Sequence, residues 1–300
     1  MFSNKKFDVE SALLMHADDF AIFPATALYN EAMLKKLEFA TKRCHIYLVG
    51  FVPTIDLLHA KQTADELTLE FTVAGNRFDI ILPIPGGSVL ESDSDGWKIA
   101  LEDGTKVWPS NDVMQQALKA QTNAMDFDVQ YIGQAYGQAG ERNAIDRLLE
   151  HKTLQKIAVK GTPQHHELYV ITLGIQSGNR QAFMFNPNAQ DTTQGEERIE
   201  ESLNKLFDTS EAEQISLYEA ALIRHFQPPF NKTFKNSFPS TNLKLLADCY
   251  KRDFSAVCAE IGFDGLPFAL KSGTVPASDH VIAPFHLHDD AARKAFFFSD

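Results

Sequence analysis

Hydrophobic positions recur with a period of two in some stretches of the chain and with a helical period in others, which predicts an α+β fold. Two alternating segments within residues 67–84 flank the turn Ala74-Gly75-Asn76 and predict a β-hairpin. A second hairpin is predicted over residues 97–108, with Asp103-Gly104 at its tip. Residues 86–96, between the two hairpins, are polar and rich in Gly, Ser and Asp, and they predict a loop.

Two helices are predicted in the same half of the chain. Asn30 is a candidate N-cap for a helix over residues 30–44, and Ser110 is one for a helix over residues 110–124. Residues 45–52 form an apolar run that predicts a buried strand. We therefore expect an N-terminal, hairpin-rich α+β domain over residues 1–115, whose role the sequence does not specify.

Strands and helices alternate in the second half. A strand is predicted to end at Gly133, and the segments that follow it are predicted as a helix over 141–156, a strand over 167–175, and helices over 199–207 and 211–226. These segments define a second predicted domain, residues 116–240. Residues 241–300 are predicted to be a C-terminal extension that packs on the core.

The composition is that of a globular protein, with 300 residues, 44% hydrophobic and 23% charged. No apolar run approaches the roughly 18 residues that a membrane crossing needs, and the N-terminal residues lack the apolar segment of a signal peptide. The three cysteines are odd in number and show no metal-binding spacing. We expect them to be reduced, buried thiols, and the protein to be cytoplasmic with no membrane partner.

The formal net charge of −12 restricts the class of partner. Neutralisation of phosphates by basic residues dominates the affinity of most nucleic-acid-binding proteins. A chain this acidic is therefore not expected to bind polyanions over its whole surface. Any nucleic-acid site must be local, or must be assisted by a bound metal.

One carboxylate lies in an apolar helical segment that two prolines end. Leucine, isoleucine and alanine residues recur at helical spacing after Ser216, and Pro228 and Pro229 cannot continue the helix. Glu219 lies within this segment, and Asn231 follows it by twelve residues, just past the break. A carboxylate on a core-forming helix is costly unless it is paired or binds a cation. The segment therefore predicts part of a site.

Three other residues complete a set suited to phosphodiester hydrolysis. Arg147 and His151, four residues apart, are predicted to share one face of a helix. Tyr131 lies on a strand that ends in a glycine, where its hydroxyl can be exposed. Together with Glu219 these residues supply a potential general base, a group that stabilises phosphate charge, a second acid–base or hydrogen-bonding group, and a hard ligand for Mg²⁺ or Mn²⁺.

The arrangement resembles the GIY-YIG nuclease superfamily over about residues 125–235. The YIG motif stands as Tyr131-Ile132-Gly133, and the R-x-x-x-H motif of homing-type members stands as RLLEH, Arg147 to His151. The pattern E-x-x-L-I-x-x-x-x-P-x-F-N, Glu219 to Asn231, is similar to the glutamate helix and following asparagine of the repair-endonuclease branch. Their order and the Glu-to-Asn spacing carry the resemblance.

The resemblance implies a small antiparallel sheet flanked by helices and a metal-dependent endonuclease activity on nucleic acid, with DNA expected over RNA. It implies one Mg²⁺ or Mn²⁺ ion on Glu219. Tyr131 would activate the attacking water directly or through a relay, Arg147 would stabilise the phosphate charge, and Asn231 would hold the geometry of the site.

Two departures from the family pattern bear on the site. The family's first tripeptide, GIY, has no counterpart in residues 121–130, so the partner of the Tyr131 strand must come from elsewhere in the chain or be abbreviated. The loop after Gly133 is long, and it brings in Tyr136 and Arg142 as rivals for the tyrosine and arginine roles. His166, next to His165, indicates either a second catalytic or metal-binding histidine or a polar entry to a strand.

Two alternative functions stay open from the sequence. The second domain is either a catalytically inactive GIY-YIG-like module that binds protein or nucleic acid, or a nuclease gated by the N-terminal domain. In the second case the N-terminal domain would sense a ligand or a protein partner, and the loop over residues 86–96 is a candidate contact.

Overall fold

The computed structural model describes residues 5–94, 96–136, 144–175, 180–207, 210–238, 243–262 and 265–293. Its strands are β1 Val9–Pro24, β2 Cys44–Pro53, β3 Ile55–Thr63, β4 Glu66–Val73, β5 Asn76–Pro83, β6 Val89–Asp93, β7 Gly96–Ala100, β8 Lys106–Val107, β9 Asp126–Gln134, β10 His166–Ile175, β11 Arg180–Phe185, β12 Ala256–Gly262, β13 Ala269–Lys271 and β14 His280–His286. Its helices are α1 Glu31–Ala40, α2 Asn111–Gln121, α3 Ala144–Leu149, α4 Lys152–Lys160, α5 Gly195–Phe207, α6 Glu211–Phe226 and α7 Lys244–Lys251, with 3₁₀ turns at Ala25–Tyr29 and Ala291–Arg293. The α+β class is confirmed.

One large sheet, in the order β13-β9-β2-β10-β1-β12-β14, contains strands from all three predicted domains; β11 pairs with the other half of β1. The pairs are antiparallel except β1 with β12 and β13 with β9. The boundaries predicted at residues 115 and 240 therefore do not separate the fold into independent sheets. Local turn and hairpin signals predict elements, but they do not indicate that distant strands pair.

The strand that carries Tyr131 finds its partner far upstream. β9 pairs with β2, which ends at Pro53, and the residues between the two strands form an insertion (residues 54–125). The insertion contains α2 and two three-stranded antiparallel sheets, β3-β4-β5 and β6-β7-β8. Both predicted hairpins are confirmed as β4–β5 and β7–β8. The predicted loop over residues 86–96 is partly wrong, because β6 pairs with β7 there.

Side-chain caps define the helix starts that the sequence predicted. The Asn30 side chain accepts hydrogen bonds from two N–H groups of α1, and the Ser110 hydroxyl accepts one from the first turn of α2. A capping box formed by Ser210 and Glu213 begins α6, and Gln227 ends it in the left-handed conformation just before Pro228. The single helix predicted over residues 141–156 is wrong in part: α3 and α4 are separate helices, interrupted at Glu150 and His151.

Alternating side chains of β2 divide the interior into two cores. Ile46 and Leu48 point into a large core that they share with α6, α7 and the apolar residues of the insertion. Tyr47 and Val49 point into a smaller core on the other side, formed with α3, α4 and the first 3₁₀ turn. The elements that carry Arg147 and His151 thus lie over the face of β2 that presents Tyr47.

A buried ion cluster fastens the C-terminal extension to the main sheet. Glu10 on β1 is fully buried and pairs with Arg293, at 2.7 Å between Oε1 and Nε, and with Arg198 on α5, at 3.0 Å. Burial raises the pKa of Glu10, while both arginines favour its charged form. Among the described residues of the predicted extension 241–300, this cluster and the pairing of β12 with β1 join the chain to the main sheet.

Cys44, Cys249 and Cys258 are buried thiols, and none of the three forms a disulfide, as the sequence predicted. Within the described residues, none of the helices has both the length and the apolar character that would let it cross a membrane.

Candidate active site

Two tyrosines lie side by side on the paired strands β2 and β9. In the antiparallel register Tyr47 lies opposite Gly133, and Val49 lies opposite Tyr131, so the two tyrosines are diagonal neighbours on one face. Their ring centroids are 6.2 Å apart. Tyr47 is almost completely buried, whereas Tyr131 is partly exposed. The strand pairing therefore leaves the Tyr131 phenol partly exposed and places the buried Tyr47 phenol beside it.

Gly133 is needed at its position because it makes room for Tyr47. A Cβ atom added to Gly133 would lie 2.5 Å from Oη of Tyr47 and 2.9 Å from Cε1 of Tyr131. Any larger residue would displace one of the two rings. The predicted site residue Gly133 thus has a packing role between both tyrosines.

His151 packs against both tyrosine rings. Its ring centroid lies 4.9 Å from that of Tyr131 and 5.5 Å from that of Tyr47. Its Nδ1 accepts a hydrogen bond of 3.2 Å from the N–H of Leu154, so His151 is the N-cap of α4. The prediction that Arg147 and His151 share one helix face is wrong, because this cap begins a new helix.

The environment of His151 keeps the ring neutral. Burial, and to a lesser extent the charge of Arg147, lower the pKa of His151 from 6.5 to about 4. Because Nδ1 accepts a hydrogen bond in the neutral ring, Nε2 carries the proton. His151 is therefore equipped to donate a hydrogen bond at neutral pH.

Arg147 lies in the last turn of α3 and is exposed, with its charge directed at the two tyrosines and at Glu219. It makes a polar contact with the Tyr47 hydroxyl, and its positive charge lowers the pKa of both phenols. It thus brings a fixed positive charge to the surface where Tyr131 is accessible.

Glu219 projects from α6 toward the same cluster. Burial raises the pKa of its carboxyl from 4.5 to about 7, against the opposing effects of Arg147 and of polar contacts with the side chain and backbone N–H of Gln134. The Ser216 hydroxyl, one turn earlier on α6, donates a hydrogen bond of 3.4 Å to the Gln134 side chain. The carboxyl keeps some exposure, so it is desolvated yet reachable.

The two phenols differ in the groups that shift their pKa values. Burial raises the pKa of Tyr131, and the Glu219 charge raises it further, but Arg147 and the Tyr47 hydroxyl both favour the Tyr131 anion. Burial raises the pKa of Tyr47 well above 10, and a charge on Tyr131 raises it again. Tyr131 is thus the more exposed phenol and has two neighbours that favour its anion.

Asn231 holds the β9 strand beside Tyr131. Its side chain, 7% exposed, accepts a hydrogen bond of 3.0 Å from the N–H of Ile132 and donates one of 2.8 Å to the carbonyl of Ile132. The N–H of Phe230 donates to the carbonyl of Gln130 at 3.1 Å. The segment after Pro229 thus satisfies the edge of β9 that β13 leaves unpaired.

The lower-ranked candidates lie elsewhere. Tyr136 donates a hydrogen bond of 3.0 Å to Glu211 and packs edge-on against His45, outside the tyrosine cluster. His166 begins β10, and its Nδ1 donates a hydrogen bond of 2.8 Å to the carbonyl of Gln164, which fits the polar strand entry. Arg142 lies outside the described residues.

The donor set suits a hard divalent cation held by few protein ligands. Among the described residues, no three His, Cys, Asp or Glu side chains form a metal-binding group. Mg²⁺ characteristically keeps several waters and uses one or two carboxylates together with substrate phosphates. A single accessible carboxylate whose burial disfavours its bare charge, such as Glu219, fits that mode.

The sequence did not single out Tyr47 as a site residue. Residues 45–52 were predicted as a buried strand, and Tyr47 is the one phenol in that apolar run. A polar hydroxyl in a wholly buried strand needs a partner, and that requirement was the available signal. The partner lies 84 positions later, beyond the insertion, where no local pattern indicates it.

Comparison of the chain with family models, with curated proteins and with solved structures finds no match.

Proposed function

We propose that this chain is a metal-dependent endonuclease that hydrolyses phosphodiester bonds in nucleic acid, DNA rather than RNA. One observation carries the proposal: Tyr47, Tyr131, His151, Arg147 and Glu219 converge from segments that are far apart in the sequence. Structural packing alone does not require two neighbouring phenols, an arginine and a desolvated carboxylate around one partly exposed tyrosine. Perturbed titratable groups of this kind cluster at catalytic sites.

The pairing of β2 with β9 also extends the likeness to the GIY-YIG superfamily. His45-Ile46-Tyr47 stands on the neighbouring antiparallel strand, where the first tripeptide of the family would be needed. In this interpretation His45 replaces the family's glycine, and the insertion of residues 54–125 explains why the tripeptide is not found about ten residues before Tyr131.

Each residue of the cluster has a separate role in the proposed hydrolysis. Tyr131 takes the proton of the attacking water as the water oxygen bonds to phosphorus and the bond to the leaving oxygen breaks in line. Tyr47 donates to Tyr131 and favours its anion. Arg147 and the Nε2–H of His151 stabilise the charge that develops on the phosphate oxygens.

Glu219 is the residue that would hold the metal. A Mg²⁺ or Mn²⁺ ion there would supply positive charge for the leaving oxygen, and it would offset the Glu219 charge that raises the pKa of Tyr131. Asn231 and Gly133 position the tyrosines without touching substrate. The three buried thiols, none of which forms a disulfide, support a cytoplasmic location.

The test is nicking of supercoiled plasmid with Mn²⁺ by the wild-type protein, Glu219→Gln and Glu211→Gln. Glu211 lies on the same helix but outside the cluster, which makes its variant a matched control. We expect cleavage by the wild type and by Glu211→Gln, and a loss of at least 100-fold in Glu219→Gln. A wild type that binds DNA but never cleaves it would favour the inactive binding module instead.

A further inference from the structure

The exposed face of α4 carries a regular row of cations that begins at the candidate active site. Lys152, Lys156 and Lys160 follow His151 at four-residue intervals and are exposed, whereas Leu154 and Ile157 on the opposite face are buried. We refer to these three residues as the lysine stripe. At 1.5 Å per residue the stripe spans about 12 Å of helix axis, or about three to four base-pair steps of duplex DNA at 3.4 Å each.

Helix α1 adds further cations on the same side of the sheet. It has no fully buried residue, and it is held by Leu34 and Leu37, which pack on the smaller core that includes α3 and α4. Lys35 and Lys36 are exposed on it, and the exposed pair Lys42-Arg43 follows it, directly before the strand that carries Tyr47.

The described residues give these cations no carboxylate partner, although the ammonium group of Lys160 lies over the ring of Phe230. The α1 and α4 segments together carry seven such cations: Lys35, Lys36, Lys42, Arg43, Lys152, Lys156 and Lys160. Within the part of the chain that the structure describes, none of these seven forms an ion pair with a carboxylate. By contrast, four of the insertion's five cations are paired, as in the 2.6 Å contact of Lys106 with Glu91 and the 3.1 Å contact of Lys98 with Asp93. Unpaired cations can bind an external anion without first breaking an internal ion pair.

The distribution of charge confines a polyanion to this side. Residues 31–43 and 144–160 together contain eight basic and four acidic residues, a formal charge of +4, within a chain of −12. The insertion, residues 54–125, contains five basic and eleven acidic residues, a formal charge of −6. Phosphates are therefore attracted to α1 and α4 and repelled by the insertion.

Apolar side chains interleave with the cations and connect them to the site. Phe39 on α1 is 87% exposed, and Val159 on α4 is 88% exposed. The Nζ of Lys160 lies 5.1 Å from the ring centroid of Phe230, next to Asn231, while the other end of the stripe adjoins His151. Both ends of the lysine stripe thus adjoin segments that build the tyrosine cluster.

We infer that duplex nucleic acid docks through its backbone phosphates on the α1–α4 surface, with the lysine stripe as the main phosphate contact and the insertion left outside the interface. This inference rests on the proposed function, because it assigns the surface that would deliver a phosphodiester to Tyr131. It also assigns α1, which precedes the Tyr47 strand, a direct part in binding.

The experiment measures the dissociation constant for a 30-base-pair duplex in EDTA between 50 and 200 mM salt, by fluorescence anisotropy, with Glu219→Gln in every protein to prevent cleavage. One variant replaces the lysine stripe with glutamine, and a second replaces the four cations of α1 and its following turn. We expect the lysine-stripe variant to bind at least tenfold more weakly at 50 mM salt. We also expect the slope of log association constant against log salt concentration to become shallower by about 2–3 in this variant. Each lost phosphate contact removes about 0.9 from the magnitude of that slope.

The matched control removes the same charge from the insertion, with glutamine at Lys61, Lys98 and Lys106. Its affinity should stay within twofold of the parent, because the insertion lies outside the interface. An unchanged salt dependence in both α1 and α4 variants would overturn the inference, and so would an equal loss in the control. Thermal unfolding of each variant verifies folding, which is expected because the substituted lysines and arginine are exposed, apart from the half-buried Lys98.

Failure of the inference and failure of the proposed function give different results. Cleavage by the wild type together with unaltered binding by the charge variants would remove the docking surface alone. Salt-dependent binding through the lysine stripe without any cleavage would remove the nuclease activity alone. Absence of duplex binding by the parent, or a change of oligomeric state in the variants without a change in DNA affinity, would also overturn the inference.

Discussion

The side chain of Asn231 hydrogen-bonds both backbone groups of Ile132, accepting from the N–H at 3.0 Å and donating to the carbonyl at 2.8 Å. Ile132 lies between Tyr131 and Gly133, so a residue 99 positions away fixes the backbone that aims the tyrosine. The contact takes the place of a neighbouring strand along an edge of β9. It couples the segment that follows α6, the helix that carries Glu219, to the strand of Tyr131.

Replacement of Asn231 with alanine should therefore affect both stability and placement of the site. Two buried backbone groups would lose their partner, which costs about 1–3 kcal/mol in the free energy of unfolding. We expect the nicking rate to fall as well, at temperatures where the variant is fully folded. The exposed Asn123 offers the control, and Asn123→Ala should leave both urea unfolding and nicking unchanged. A stable but fully active Asn231→Ala would contradict this role.

Gly133→Ala should damage the tyrosine pair selectively. The added Cβ would overlap the Tyr47 hydroxyl, at 2.5 Å, and force either ring to move. We expect the nicking rate to drop at least tenfold. Removal of the hydroxyl in Gly133→Ala/Tyr47→Phe should recover neither the rate nor the thermal stability, because the ring carbon Cζ of residue 47 would still lie 2.6 Å from the added Cβ. Gly273→Ala is the control, since no atom lies within 4 Å of its added Cβ; equal effects of the two alanines would argue against the steric explanation.

The raised pKa of the Glu219 carboxyl predicts that the stability of the protein depends on pH. Its pKa is raised in the folded protein from 4.5 to about 7, so the folded state binds more protons than the unfolded state between these values. Stability from this group is greatest below pH 4.5 and decreases as pH rises toward 7. In EDTA, Glu219→Gln should match the wild type at pH 4.5 and exceed it by about 1–3 kcal/mol at pH 8. A difference that does not change with pH would contradict the desolvated carboxyl.

A bound metal ion should reverse the stability difference between the wild type and Glu219→Gln at pH 8. At pH 8, Mn²⁺ should raise the melting temperature of the wild type in a concentration-dependent way and leave Glu219→Gln unaffected, because only a ligand bound to the folded state stabilises it. The nicking rate should rise with pH through about 7 as the carboxyl ionises. His151 does not produce this rise, since its pKa of about 4 keeps it neutral throughout.

His151 combines a helix cap with a ring in the site, and asparagine separates the two roles. Asparagine is among the best N-cap residues, so His151→Asn should preserve α4 and remain within about 0.5 kcal/mol of the wild type. His151→Ala should lose about 1 kcal/mol. Both should lose nicking activity to a similar extent if the ring donates to phosphate. Full activity in His151→Asn would reduce the histidine to a cap.

Local sequence signals predicted the local structure well. The turns at Ala74-Gly75 and Asp103-Gly104 and the caps at Asn30 and Ser110 are each determined by a few neighbouring residues, and each is confirmed. The joining of β2 to β9 is determined instead by burial on both faces of a sheet assembled from distant strands. That is why the sequence did not indicate that strands from all three predicted domains share one sheet.

The same distinction applies to the site. Tyr131, Arg147, Glu219 and Asn231 were found because their motifs are compact in the sequence, and the structure brings these four together. Tyr47 was missed because an insertion of 72 residues, 54–125, separates its strand from β9. The break before α4 was missed because histidine is an uncommon cap, and its Nδ1 acts here as the acceptor that serine or asparagine usually provides.

The central claim is that Tyr47 and Tyr131 act as one centre. It is tested most directly by single-turnover nicking with Mn²⁺ of Tyr47→Phe, Tyr131→Phe and the double variant, beside Tyr136→Phe as the tyrosine outside the cluster. Residues that act as a unit are strongly non-additive, so we expect each single variant to lose at least tenfold and the double to be little slower than the slower single. Wild-type rates in Tyr47→Phe, or losses that multiply in the double variant, would contradict the claim.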